Sequence, residues 1–153
     1  MLSLSMLVTD ECVSTSILRK EANPYPAIGL MVTSIVFRVD ASIQIGTGHV
    51  MRCLTLADAL RERGGQCRFI CRSHQGHLLG LISQRGHEAI ALRICDVPFK
   101  APSTPAHSSW LGTDWASDAE QTARALGEET VDWLVVDHYG LDRRWELTLR
   151  PAC

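Results

Sequence analysis

The sequence predicts an α/β fold, a parallel sheet with helices on both faces. Three observations carry this. From Ile35 onward, short β-branched runs alternate with stretches of helical period; glycines close the helical stretches; and most of the links are short. Strands joined through helices pair in parallel, by right-handed crossovers.

The elements follow in order. Ile35-Val36-Phe37-Arg38-Val39-Asp40 is a strand that ends on an acid, and the loop from Ala41 to Thr47 carries Gly46 and leads to Gly48. From His49 to Arg63 the period turns helical. Val50, Cys53, Ala57 and Leu60 share a face, and Gly64-Gly65 stops the helix. Gln66 to Arg72 is a second strand, His77 to Arg85 a short helix closed by Gly86, and His87 to Ile94 a third strand. Asp96 to Ser109 holds Pro98, Pro102 and Pro105 and is expected to be a long surface loop. Ser117 to Gly127 is the next helix, with Ser117 as N-cap and Glu120 at capping-box spacing. Val131 to Asp137 is the fourth strand, and Arg143 to Leu149 the last helix.

Residues 1–33 differ from the rest. They show no sustained period and end in the turn-rich Asn23-Pro24-Tyr25-Pro26, and Met31 offers a second start. The expectation is a poorly ordered or artefactual extension, dispensable for folding, before one domain over 35–153.

Bulk properties narrow the function. A net charge of -2 offers no basic excess to hold a nucleic-acid backbone. No apolar run spans a bilayer, and Met1 to Val8 lacks the basic flank of a secretory signal. The six cysteines, Cys12, Cys53, Cys67, Cys71, Cys95 and Cys153, contain no CxxC pair. They read as reduced thiols of a cytoplasmic protein, with Cys67 and Cys71 on one strand face. His74, His77 and His87 lack a convincing third ligand and read as solvated loop histidines, so no metal is expected. Trp110, Trp115 and Trp133 read as packing residues.

Ligands of such sheets bind beyond the carboxyl ends of the strands. There the sequence places Asp40, Gly46-Thr47-Gly48-His49, Arg72-Ser73-His74, Trp110-Leu111-Gly112 and Asp137-His138-Tyr139-Gly140. Gly46 and Gly48 allow positive φ and close approach of a ligand, and the helix that opens there offers free N–H groups to a phosphate. The third glycine of a dinucleotide fingerprint and the lysine of a P-loop are both missing, so no nucleotide cofactor is expected. A neutral imidazole at His49 can take a proton from water, and Arg52, three residues on, can pair with a phosphate or with Asp40. On spacing alone, His49 and Arg52 also suit plain polar residues at a helix start.

The stretch from Asp40 to Ala57, with its Ile-Gly-x-Gly-His-x-x-Arg-Cys motif, resembles the N-terminal domain of the UDP-2,4-diacetamido-2,4,6-trideoxy-β-L-altropyranose hydrolases. Trp110-Leu111-Gly112 and Val136-Asp137-His138-Tyr139-Gly140-Leu141-Asp142 agree with it, so the resemblance covers about residues 35–153. It implies a Rossmann-like half of a glycosyltransferase B type fold. It also implies metal-free cleavage of the sugar C1–O bond with inversion, which releases UDP and a free sugar for pseudaminic acid synthesis. His49 carries over as the base; Asp40, Gly46, Gly48, Arg52, Asp137, His138 and Tyr139 carry over as substrate-binding residues. Members of that family are about twice this long and hold the nucleotide in a C-terminal domain. The 153-residue chain is therefore expected to lack nucleotide affinity and turnover by itself. A glycosyltransferase of the same fold, or a non-catalytic remnant domain, are the alternatives.

Overall fold

The computed structural model describes residues 15–19, 32–94, 101, 105–128 and 131–152. The elements are β1 (Thr15–Arg19), β2 (Ser34–Val39), α1 (Gly48–Arg61), β3 (Gln66–Arg72), α2 (Leu79–Gln84), β4 (Glu88–Leu92), α3 (Trp115–Leu126), β5 (Trp133–Asp137) and α4 (Arg143–Leu149). One turn of 3-10 helix, Ser108–Leu111, precedes α3. Most of the proline loop, most of residues 1–33, and Cys12, Cys95 and Cys153 lie outside the described residues.

The strands form one sheet in the order β1-β5-β2-β3-β4. β2, β3, β4 and β5 are all parallel, as the strand–helix alternation predicts. The chain steps outward from β2 to β3 and β4, then returns to the other side of β2 for β5. This is a Rossmann-like α/β arrangement with its topological switch point between β2 and β5, and the carboxyl ends of these two strands frame the crevice.

Strand alternation sorts side chains between two cores. Ile35, Phe37 and Val39 of β2 meet Val50, Cys53, Leu54 and Ala57 of α1, with Phe69 and Cys71 of β3 and Ile82 of α2. Those α1 positions are spaced as one apolar stripe. Phe37 stacks on Phe69, centroids 4.8 Å apart. On the other face Val36, Ile70, Leu134 and Val136 meet Ala119 and Leu126 of α3 and Trp145 and Leu149 of α4. Both faces are thus covered by helices. Among the described residues no helix is long and apolar enough to cross a membrane.

Three local features depart from expectation. Thr15–Arg19, inside the stretch without period, forms an edge strand antiparallel to β5, from Thr15 opposite Asp137 to Arg19 opposite Trp133. A strand this short takes its order from its partner's free N–H and C=O groups and needs no period of its own. The cap of α3 is Asp114 and not Ser117: its Oδ1 accepts from the N–H groups of Ala116 (3.0 Å) and Ser117 (2.9 Å). Asp114 has the extended backbone of an N-cap, and Ser117 already lies inside the helix. His87 is buried and lies 2.8 Å from Asp58, a histidine paired in the interior and not solvated.

Candidate active site

The site begins where β2 ends. The chain turns back through Ser42 to Gly46, with the Gly46 N–H bonded to the Ser42 carbonyl at 2.8 Å. Ser42 Oγ accepts from the N–H groups of Gln44 (3.1 Å) and Ile45 (2.9 Å), which holds the loop. Gly46 has φ +82°, so this position needs glycine. Gly48 has no positive φ, contrary to expectation; it opens α1, and a Cβ there would meet nothing within 4 Å. Thr47 precedes α1 without a side-chain cap, and the first turn carries no acid.

His49 sits in that first turn, buried, and reaches across the switch point to the end of β5. Its Nδ1 lies 2.9 Å from Asp137 Oδ1, although the residues are 88 apart in sequence. Arg52, one turn on, grips the same carboxylate with both prongs of its guanidinium, Nε on Oδ2 and Nη2 on Oδ1. Such a fork fixes the carboxylate plane as well as its charge. The sequence offered Asp40 or phosphate as partners for Arg52; its partner here is Asp137. Burial alone would raise the Asp137 carboxyl, but hydrogen bonds from Arg52 and His49 outweigh it and hold the group below the usual carboxylate range. An ionised carboxylate only accepts, so Nδ1 of His49 is the donor in this pair, and in the neutral imidazole Nε2 is the acceptor. Arg52 Nη2 also stands 3.0 Å from Nδ1, but a protonated Nδ1 has nothing to offer a donor. Tyr139 closes the other side, its ring edge-on to His49 with centroids 4.6 Å apart.

Asp137 has a further partner that the sequence reading passed over. Cys53 donates its S–H to Oδ2 at 3.6 Å. Burial pushes the Cys53 thiol far up, so it stays a donor. Its place four residues after His49, on the same helix face, was the available signal.

Asp40 and His138 lie together, but behind this cluster. Asp40 is fully buried and accepts from Arg38 Nη1 (2.7 Å) and the Arg72 N–H (2.6 Å). Burial works against its charge, yet the Arg38 guanidinium and His138 hold the carboxyl well below its ordinary value. Its Oδ2 faces His138 Nε2 at 3.3 Å and His74 Nε2 at 3.8 Å. His138 Nδ1 accepts from the Gly140 N–H at 3.0 Å, which puts the proton on Nε2, toward Asp40. His74 is half-buried against this pair, where the sequence reading had it solvated.

The structure thus gathers His49, Arg52, Asp137 and Tyr139 at the crevice, with Gly46 and Gly48 in the loop beside them and Asp40 and His138 as a supporting pair beneath. A carboxylate-held imidazole with one free nitrogen can accept a proton, and the uncapped start of α1 can face an anion. A scan against protein-family models finds no match, and no curated protein matches the chain.

Proposed function

We propose that this chain carries the catalytic half of a nucleotide-sugar hydrolase, acting on a UDP-linked 2,4-diacetamido-2,4,6-trideoxy sugar. The observation that carries the reading is the His49–Asp137–Arg52 arrangement: an imidazole whose Nδ1 is held by an ionised carboxylate, itself clamped by an arginine, at the switch point of a parallel sheet. The motif around Gly46, Gly48 and His49 supplies the substrate class.

The chemistry is a single displacement. His49 Nε2 takes a proton from water as its oxygen attacks the anomeric carbon. The C1–O bond breaks on the opposite face, its electron pair leaves with UDP, and the configuration inverts. A diphosphate leaves readily, so the base and its orientation are what the protein must provide. Asp137 holds the reactive tautomer and stabilises the imidazolium as it forms; Arg52 keeps Asp137 ionised and aimed. Tyr139 limits how far the imidazole can turn.

The test fuses the whole chain to the C-terminal domain of a hydrolase of the resembled family and supplies the UDP-sugar. Release of UDP and of inverted sugar is followed by NMR. His49→Asn keeps size and one hydrogen bond but cannot accept the proton. Turnover should fall by about two to four orders of magnitude with KM nearly unchanged, because the lost interaction belongs to the transition state. Near-normal turnover with Asn at position 49 would sink the proposal.

A further inference from the structure

Four rings stand along the rim. Next to His49 is Tyr139, edge-on at 82°. Beyond Tyr139 lie His107, at 5.8 Å, and Trp110, at 6.1 Å, both with planes tilted by 39°. His107 and Trp110 are 4.1 Å apart. Trp115 and Trp133 do pack against the two cores, as the sequence predicts. Among the described residues Trp110 is in neither core, contrary to the expectation of a packing residue, and it is half-buried.

The turn that carries Trp110 is held from below. Ser108 and Leu111 are buried, and the N–H groups of Ser108 and Trp110 bond to the carbonyls of Pro105 (3.0 Å) and His107 (2.9 Å). Gly140 lets this turn come down on the end of β5: a Cβ there would stand 2.8 Å from the His107 carbonyl oxygen and 2.9 Å from His138 Cε1. At Gly112 (φ +69°), a Cβ would stand 2.7 Å from His74 Cε1. Two close approaches that only glycine permits therefore set the rings beside the crevice.

We propose that Trp110, with His107 and Tyr139, forms the sugar-binding wall of this site and stacks on the apolar face of a deoxy, acetamido-substituted hexose. The inference rests on His49 marking the anomeric carbon. The wall starts one ring from His49, so what reaches it is the sugar and not the uridine beyond the diphosphate. Aromatic faces receive C–H and methyl groups, while imidazole and phenol edges offer polar contacts. A 6-deoxy, diacetamido sugar presents methyl groups where glucose presents hydroxyls, so the wall favours the former.

The 153-residue chain itself serves for the test, since binding and not turnover is read. The chain, labelled with nitrogen-15, is titrated separately with free 2,4-diacetamido-2,4,6-trideoxyaltrose, glucose and UDP. Its indole N–H signals are assigned through Trp110→Phe, Trp115→Phe, Trp133→Phe and Trp145→Phe. The Trp110 signal should move saturably with the diacetamido sugar and hardly at all with glucose or UDP. Trp110→Ala should weaken Kd about tenfold, and Trp110→Phe should restore most of it. A Trp110 signal unmoved near the solubility limit of the sugar, an unchanged Kd in Trp110→Ala, or UDP as the ligand that moves Trp110 would each overturn the proposal. Failure of the base assignment looks different: the His49→Asn fusion would keep its turnover while the wall still bound sugar.

Discussion

Asp118 gives the sharpest test of how the molecule is held together. It lies on α3 with no exposed surface. Its carboxylate accepts from Arg38 Nε (3.3 Å) and Nη2 (2.6 Å), from Arg72 Nη2 (2.5 Å) and from Trp145 Nε1 (2.9 Å). Both guanidiniums are also fully buried. Asp118→Asn preserves volume and removes the charge. Arg38 then keeps Asp40, and among the described residues Arg72 keeps Gln121 and the Arg93 carbonyl. Removing one partner from a buried ion network costs about 3–5 kcal/mol, and one carboxylate serving two guanidiniums argues for the upper part of that range. Domains of this size are stable by about 5–15 kcal/mol. At about 2–4 °C per kcal/mol, the midpoint should fall by roughly 6–20 °C. Urea titration followed by tryptophan fluorescence, with calorimetry beside it, measures this. A loss under about 1 kcal/mol, the value of an exposed pair, would refute the network as a buried one.

Acid should unfold the chain through the same groups. Asp40, Asp118 and Asp137 all have folded-state values below their ordinary ones. Their contribution is therefore complete above about pH 4 and is lost as pH falls through the folded values. Burial pushes the His74 imidazole down, so a smaller loss should begin below about pH 6.5. A melting temperature flat from pH 7 to about pH 3 would contradict both signs. Gly140→Ala forces a Cβ against the His107 carbonyl and should cost about 1–3 kcal/mol by urea titration; no change would mean that the turn is free to lift. A chain beginning at Met31 lacks β1 and leaves the β5 edge unpaired, so it should melt lower and self-associate in sedimentation. An unchanged monomer would restore the expectation that the extension is dispensable.

The parallel strands, α1 and α4 were legible because β-branched runs and helical period are local signals. The position of His49, Arg52, Asp137 and Tyr139 on one rim was legible for the same reason: each follows or closes a strand. Which of them touch was not. His49 and Asp137 meet only because β5 returns beside β2, a pairing that no spacing encodes. Arg38 and Asp118 were missed as interior residues because lone charges read as surface, and it is their pairing across 80 residues, with Asp40 and Arg72 beside them, that makes burial tolerable. β1 was illegible because Thr-Ser-Ile-Leu-Arg acquires its strand from the edge it joins.

The end of β5 has a bearing on how the sheet chooses its alignment. Asp137 and His138 are consecutive, and each is tied to a different partner: Asp137 to Arg52 and His49, His138 to Asp40. A slip of β5 by one position would put His138 in the place of Asp137 or, in the other direction, Asp137 in the place of His138. In the first case an imidazole would face the Arg52 guanidinium, and in the second a carboxylate would face the buried carboxylate of Asp40. The first leaves Arg52 without its carboxylate; the second sets two carboxylates together in the interior, where the mismatch costs far more than it does in water. Two neighbouring residues of opposite character thus act as a key cut for a single notch, so the arrangement that brings His49 its carboxylate also penalises the misaligned sheet.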